Sequence, residues 1–109
     1  MPDDPIIAAI EVSRRLDREC LKLLTRIDAA ERNGKSGAVL RAQEKQLKRA
    51  ADRALIALTR IRPTTLVGAA ALIDHVRRDL AMKAEEWHLL ALANAATALL
   101  AMKGDPKPH

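Results

Sequence analysis

The residues best suited to chemistry lie in the last third of the sequence, where two titratable pairs occur at helical spacing. His75 and Asp79 are four positions apart, and Glu85 and His88 are three positions apart. On a helix, each spacing places both side chains on one face. Carboxylate and imidazole groups are metal ligands, and di-iron bundles use two Glu-x-x-His pairs together with two further glutamates.

The rest of that ligand set is missing, because the sequence has a single Glu-x-x-His pair. Three glutamates of the first predicted helix lie off its apolar stripe: Glu11, Glu19 and Glu31. The simpler interpretation is a solvated His75 and a His88 that flanks Trp87 at the start of a helix. We therefore predict no metal site and no cofactor.

Nucleophilic catalysis and phosphate-loop chemistry have less support. Ser13 and Ser36 are the only serines, and no histidine is near either of them in the sequence. The segment Gly34-Lys35-Ser36 resembles the end of a phosphate-binding loop, but that motif needs a glycine where Ala29 stands and a strand before it. We predict a helix-connecting turn there, no catalytic residues, and a protein that is not an enzyme.

Positive charge is placed unevenly along the chain. The sequence carries 19 Lys/Arg and 14 Asp/Glu, a net charge of +5. Segment 32–62 holds nine Lys/Arg and two Asp/Glu, a net of +7, whereas the remainder holds ten and twelve, a net of −2. Five of these basic residues share one outer face of the second predicted helix and are called the basic face: Arg41, Lys45, Lys48, Arg49 and Arg53.

The basic face is a possible surface for an anion or an acidic partner, because it can attract phosphates and release counterions. It has no aromatic residue for base stacking. Nothing in the sequence resembles the recognition helix of a helix-turn-helix motif. Any nucleic-acid binding would therefore be non-specific. The simpler interpretation is a solvated helix face with Glu44 and Lys48 as an ion pair.

These groups must be positioned by helices, because the composition predicts an all-α protein. Hydrophobic residues make up 49% of the 109, with 21 Ala, 16 Leu and a single aromatic side chain, Trp87. Unbranched side chains lose little rotamer freedom in a helix. The length fits one domain. Cys20 is the only cysteine, so an internal disulfide is excluded, and we predict a small buried thiol.

Two long antiparallel helices are predicted for the first half of the chain. Asp4-Pro5 is a helix start signal, because the carboxylate can accept an orphan N–H and proline presets the backbone angle. Asn33 and the glycines of segment 33–37 end this helix, and a second helix follows from Ala38 to Ile61. The apolar stripe of the first helix comprises Ala9, Val12, Leu16, Cys20, Leu23, Leu24 and Ile27.

The second half begins with a third helix, after a break at Pro63 and a threonine cap. Its predicted core face comprises Leu66, Ile73, Val76 and Leu80. A turn at residues 83–86 would separate it from a fourth helix, because two glutamates suit a first helical turn. The seven-residue spacing from Leu66 to Trp87 also allows one continuous helix over 66–102. The predicted architecture is an antiparallel bundle of three to four helices with a long hairpin of helices one and two.

The last helix is apolar on nearly every side, and the 16 residues from Trp87 to Met102 carry no charge. This run is shorter than the roughly 20 residues of a membrane span. Three short neighbours can hardly bury such a helix, so we predict a homodimer through the C-terminal helix. Residues 1–103 are predicted to form one helical domain and 104–109 a disordered tail. An acidic start without an apolar leader predicts a cytoplasmic location.

Two further segments have a recognisable pattern. Residues 4–11 read Asp-Pro-Ile-Ile-Ala-Ala-Ile-Glu, and residues 62–72 read Arg-Pro-Thr-Thr-Leu-Val-Gly-Ala-Ala-Ala-Leu. Together they resemble the signatures of a group of short helical proteins from alphaproteobacteria, common in rhizobia, although Ser13-Arg14 stands where those proteins carry His-Arg. The resemblance implies a helical fold and a bacterial cytoplasm, and it implies no activity.

The function that these observations favour is a non-enzymatic, oligomeric protein-interaction module. The alternative is non-specific binding of nucleic acid or of an acidic partner through the basic face. A metal-dependent enzyme ranks third.

Overall fold

Residues 4–104, the part of the chain that a computed structural model describes, form a bundle of four α-helices. The helices are α1 (Pro5–Arg32), α2 (Ala38–Arg60), α3 (Leu66–Leu80) and α4 (Glu86–Gly104). The all-α prediction is confirmed. Because residues 81–85 separate α3 from α4, the prediction of two helices is also confirmed, and the alternative of one continuous helix is wrong. Gly104 of the predicted tail is the last residue of α4, and 105–109 lie outside the described residues.

Local signals begin and end α1 where they were predicted. Asp4 is the N-cap, and its Oδ1 accepts a hydrogen bond from the Ile6 N–H at 3.2 Å. At the other end, Gly34 has a φ of 71°, the left-handed conformation that suits glycine. The Lys35 N–H donates to the Ala30 carbonyl at 2.9 Å, as in a Schellman C-cap. The Gly-Lys-Ser segment is therefore a turn between helices.

Asp4 also joins the N-terminal ends of α1 and α3. Its Oδ2 accepts hydrogen bonds from the N–H groups of Thr64 and Thr65, both at 2.9 Å, and from the Thr65 hydroxyl at 2.8 Å. The same hydroxyl accepts the Gly68 N–H at 2.9 Å, which makes Thr65 the predicted N-cap of α3. A side chain at Gly68 would overlap the Asp4 carboxylate, so this close approach requires glycine. Segments 4–11 and 62–72 therefore pack against each other.

The Asp4 carboxylate is ionised although it is almost fully buried, at 4% exposure. Burial alone would raise the pKa of Asp4, but the hydrogen bonds from Thr65, Ile6 and Thr64 together hold it below its ordinary value. The charge is thus stabilised by donors from two helix starts.

The four helices surround one core. Each of the three connections is five residues long, which makes consecutive helices antiparallel. Helix α1 packs against α2 and α3, and α4 packs against the same two helices. Every helix contributes to the main buried cluster, which comprises Ile6, Ala9, Ile10, Leu58, Leu72, Val76, Ala91 and Ala95.

Several residues predicted to face the core are exposed instead: Val12, Leu24, Leu66, Ile73 and Leu80. In α3, Val76 is buried as predicted, but its inner neighbours are Ala69 and Leu72. The prediction failed because apolar residues also occupy the adjacent positions, so the hydrophobic pattern is compatible with more than one helix rotation.

The hairpin of α1 and α2 is longer than the rest of the bundle. The radius of gyration is 17.7 Å, compared with about 13 Å for a compact domain of similar length. The cleft between α1 and α3 ends at Arg18, and α4 begins beside Leu55 of α2. We call residues 18–53 the hairpin arm. There α1 packs on α2 through Leu23 and Ile27, which are 4% and 3% exposed.

Candidate functional site

The turn between α3 and α4 brings part of the predicted His/Asp/Glu cluster together. The Nε2 atom of His88 lies 2.8 Å from Oδ2 of Asp79, and Nδ1 lies 2.8 Å from the Glu85 backbone nitrogen. Both ring nitrogens are satisfied when Nδ1 accepts the Glu85 N–H and Nε2–H donates to Asp79. The glutamate of a capping box makes the same backward bond to the start of its helix. His88 therefore caps α4 and connects it to α3.

The prediction of a solvated His75 is wrong, because its side chain is 5% exposed and its ring centroid lies 6.0 Å from that of Trp87. Arg14 Nε of α1 donates a hydrogen bond to its Nδ1 at 3.2 Å. The proton of the neutral ring must then be on Nε2, which has no partner among the described residues. Burial lowers the pKa of His75, and the Arg14 charge lowers it further, so the ring is neutral at pH 7.

The cluster does not converge on a metal ion. Within residues 4–104, no three His, Cys, Asp or Glu side chains are grouped to hold one. Asp79 is bound to His88, whereas His75 is bound to Arg14. A cleft of about 240 Å³ beside them is smaller than the usual small-molecule site of at least roughly 300 Å³. It is lined by Arg14, Asp17, Arg18, His75, Arg78, Asp79 and Met82.

Cys20 is half-buried on α1, where a fully buried thiol was predicted. Burial raises the pKa of its thiol, and the negative charge of Asp17 raises it further. The thiol is therefore protonated at pH 7, and a protonated thiol is a poor nucleophile.

A different kind of site lies on the outside of α4. The core side of this helix is made of small residues, since Ala91, Ala95 and Ala98 are at most 1% exposed. The large residues lie on the opposite side, and Leu89 and Leu100 are 72% and 68% exposed. We call this side the α4 outer surface, and its exposed residues are Leu89, Leu90, Ala93, Ala96, Thr97, Leu100 and Ala101. Its one hydroxyl, that of Thr97, already donates to the Ala93 carbonyl at 2.8 Å.

Two polar side chains fix the rotation that leaves these leucines outside. The amide of Asn94 donates to the carbonyls of Leu58 and Ile61, at 3.0 and 2.7 Å. Both carbonyls lie at the end of α2, where a helix leaves its last carbonyls without a partner of its own. His88 Nε2 is held by a side chain, the carboxylate of Asp79 on α3. Rotating α4 to bury the leucines would break these bonds, at a cost of about 1–3 kcal/mol for each buried polar group left without a partner.

Apolar grooves flank the α4 outer surface on both sides. The groove towards α3 has a volume of about 400 Å³, and Leu80, Leu89 and Leu92 are among its lining residues. The groove towards α2 has a volume of about 280 Å³ and is lined in part by Ile56 and Leu90. Helices pack together by fitting a ridge of side chains on one helix into a groove on the other. A ridge between two grooves is therefore suited to packing against another helix.

All five residues of the basic face are exposed on the outer side of α2. Arg41 is bound to Glu31 of α1, with an Nη2–Oε2 distance of 2.7 Å. The predicted Glu44–Lys48 pair is absent from the ion pairs of residues 4–104, because Glu44 is 8% exposed between α1 and α2. Four members of the basic face therefore remain without an ionic partner in the described part of the chain.

Comparisons of the chain with protein-family models, with curated proteins and with solved structures found no match. Among the described helices, none combines the length and the apolar character that crossing a membrane requires.

Proposed function

We propose that the protein is a non-enzymatic interaction module that forms a homodimer through the α4 outer surface. The observation that carries this proposal is the exposure of Leu89, Leu90 and Leu100 on a helix side that carries no charge between Glu86 and Lys103. Monomeric proteins rarely expose contiguous apolar patches above a few hundred Å². Covering such a patch stabilises a complex by about 25 cal/mol per Å² of apolar surface, before the costs of association are subtracted.

A second copy of the chain is the partner that this surface fits best. In a twofold dimer the same patch lies on both subunits, so the patch must be compatible with itself. A surface without charge meets this condition, because no like charges are brought together. The small side chains of Ala93 and Ala96 allow two α4 helices to approach closely, while the flanking grooves accept the leucines of the opposite copy.

Replacing Leu89, Leu90 and Leu100 together with glutamine tests the proposal. Glutamine has nearly the helix propensity of leucine and adds no charge, so the fold of the protomer should be kept. We expect the wild type to have the mass of a dimer and the variant that of a monomer. The measurement is light scattering coupled to size exclusion at micromolar concentrations, with circular dichroism to check helicity.

The matched control replaces three exposed apolar residues of the hairpin arm with glutamine. Leu21, Leu24 and Val39 are 66%, 44% and 73% exposed. This control should remain a dimer. A wild type that is monomeric, or a control that dissociates as the α4 variant does, would contradict dimerisation through the α4 outer surface.

A further inference from the structure

The hairpin arm carries the entire net charge of the protein. Residues 18–53 contain ten Lys/Arg and five Asp/Glu, a net of +5, and the other residues contain nine of each. Folding thus places a positive arm next to a bundle that is nearly neutral.

The carboxylates of the arm do little to neutralise its outer face. Three of them form ion pairs within the arm: Glu31 with Arg41 at 2.7 Å, Asp28 with Arg32 at 2.8 Å, and Glu19 with Lys22 at 3.5 Å. A fourth, Glu44, is buried. The fifth, Asp52, is exposed on α2 four residues after Lys48, so the outer face carries one negative charge among its basic side chains. The arm's basic side chains without an ion pair to another described residue are Arg18, Arg26, Lys35, Lys45, Lys48, Arg49 and Arg53.

The basic face has the composition of a phosphate-binding surface. Lys45, Lys48, Arg49 and Arg53 span about 12 Å along α2. No large apolar side chain is exposed between Val39 and Ile56. A protein partner would need an apolar centre within its polar rim, and this face has none. A nucleic-acid duplex needs only cations, because it presents one phosphate charge per roughly 1.7 Å of its axis.

We propose that the basic face binds the phosphate backbone of double-stranded nucleic acid without reading its sequence. A single strand is a poorer fit, because the only aromatic residue, Trp87, is half-buried at the start of α4. Base stacking is therefore unavailable on the arm. This binding does not depend on the proposed dimer, because the stretch of α2 beside α4 begins at Leu55, beyond the basic face.

The test is fluorescence anisotropy of a labelled mixed-sequence DNA duplex, titrated with the full chain at several salt concentrations. If four cations contact phosphates, the logarithm of affinity should fall against the logarithm of salt with a slope of about −3 to −4. Between about 50 and 200 mM salt, the affinity should then fall about 100-fold. No binding at the lowest salt, or binding that salt does not weaken, would overturn the proposal.

Charge reversal locates the contact. Lys48→Glu with Arg49→Glu should reduce the steepness of the salt slope by about two and weaken binding. The control, Arg62→Glu with Lys83→Glu, makes the same change in net charge at exposed positions outside the arm and should bind almost as the wild type does. Equal loss of binding in both variants would show that net charge, not the basic face, is responsible.

Two further measurements keep the result interpretable. Lys48→Gln with Arg49→Gln removes two positive charges without adding negative ones. This milder variant should also weaken DNA binding and reduce the salt slope, and it serves as the test if charge reversal disturbs folding. Polyglutamate, titrated at the same salt, represents an acidic protein. Tighter binding of polyglutamate than of DNA would overturn the nucleic-acid assignment. Because light scattering reports the oligomeric state separately, loss of DNA binding and loss of the dimer remain distinguishable.

Discussion

Single polar side chains connect the helices of this protein to one another. Asp4 joins α1 to α3, His88 joins α4 to α3, and Asn94 joins α4 to α2. Each of them binds backbone groups at a helix end, where the helix leaves donors or acceptors without partners. His88, which its spacing from Glu85 first marks as a candidate for chemistry, is thus used for capping and connection.

Asp4→Asn should destabilise the protein at neutral pH by about 1–3 kcal/mol. The Oδ2 atom of Asp4 accepts three hydrogen bonds, and an amide nitrogen placed there would face those donors. Urea unfolding followed by circular dichroism measures the difference in free energy of unfolding. Asp28→Asn is the control, because Asp28 makes only an exposed ion pair with Arg32, and such pairs contribute about 0–1 kcal/mol.

The stability difference between wild type and Asp4→Asn should also depend on pH. Because folding lowers the pKa of Asp4, its contribution is fully present above the ordinary aspartate value of 3.8. The contribution is lost as the pH falls through the folded-state pKa. The difference should therefore stay constant from neutral pH down to about 5 and narrow below about 4. A difference that stays constant through the acid range would show that the charge of Asp4 is not what stabilises the junction.

Most beginnings and ends of the helices could be predicted from the sequence, but the rotations of the helices about their axes could not. The end of α3 was also missed, because the turn predicted at 83–86 lies at 81–85. Asp4, Gly34 and Thr65 act on neighbouring residues, so their effect follows from local sequence. In α4 and the first half of α3, apolar or small residues occupy nearly every side, so several rotations bury similar apolar area. Contacts between residues distant in sequence, such as those of Asn94 and His75, select one of them.

The candidate site was predictable to a similar extent. The exposed leucines follow from the excess of apolar side chains on α4, and the basic face follows from charge spacing on α2. The pairing of Asp79 with His88 and the burial of Glu44 required the fold. Two distant helical positions meet only when the packing is known.

The hairpin arm should be the least protected part of the long helices. Its buried contacts connect only two helices, whereas the first turns of α1 belong to the four-helix core through Ile6 and Ile10. Local opening costs less where fewer apolar contacts are broken. In hydrogen exchange measured by mass spectrometry, we expect residues 21–31 and 39–48 to exchange faster than residues 6–14. Equal protection along α1 would contradict this difference.

The molecule separates its two proposed surfaces, with a neutral apolar ridge on α4 and a basic face on an extended arm. This arrangement requires that the arm project in solution. Small-angle X-ray scattering of the Leu89, Leu90 and Leu100 glutamine variant, the expected monomer, tests the requirement. Its radius of gyration should be about 18 Å, close to the 17.7 Å of the structure, compared with about 13 Å for a compact domain.

The wild-type dimer should give a larger radius of gyration than this monomer, and the arm variant with charges reversed at Lys48 and Arg49 should match the wild type. A monomer near the compact value would contradict a projecting arm, because the arm continues two uninterrupted helices, α1 and α2, and cannot fold back unless both break.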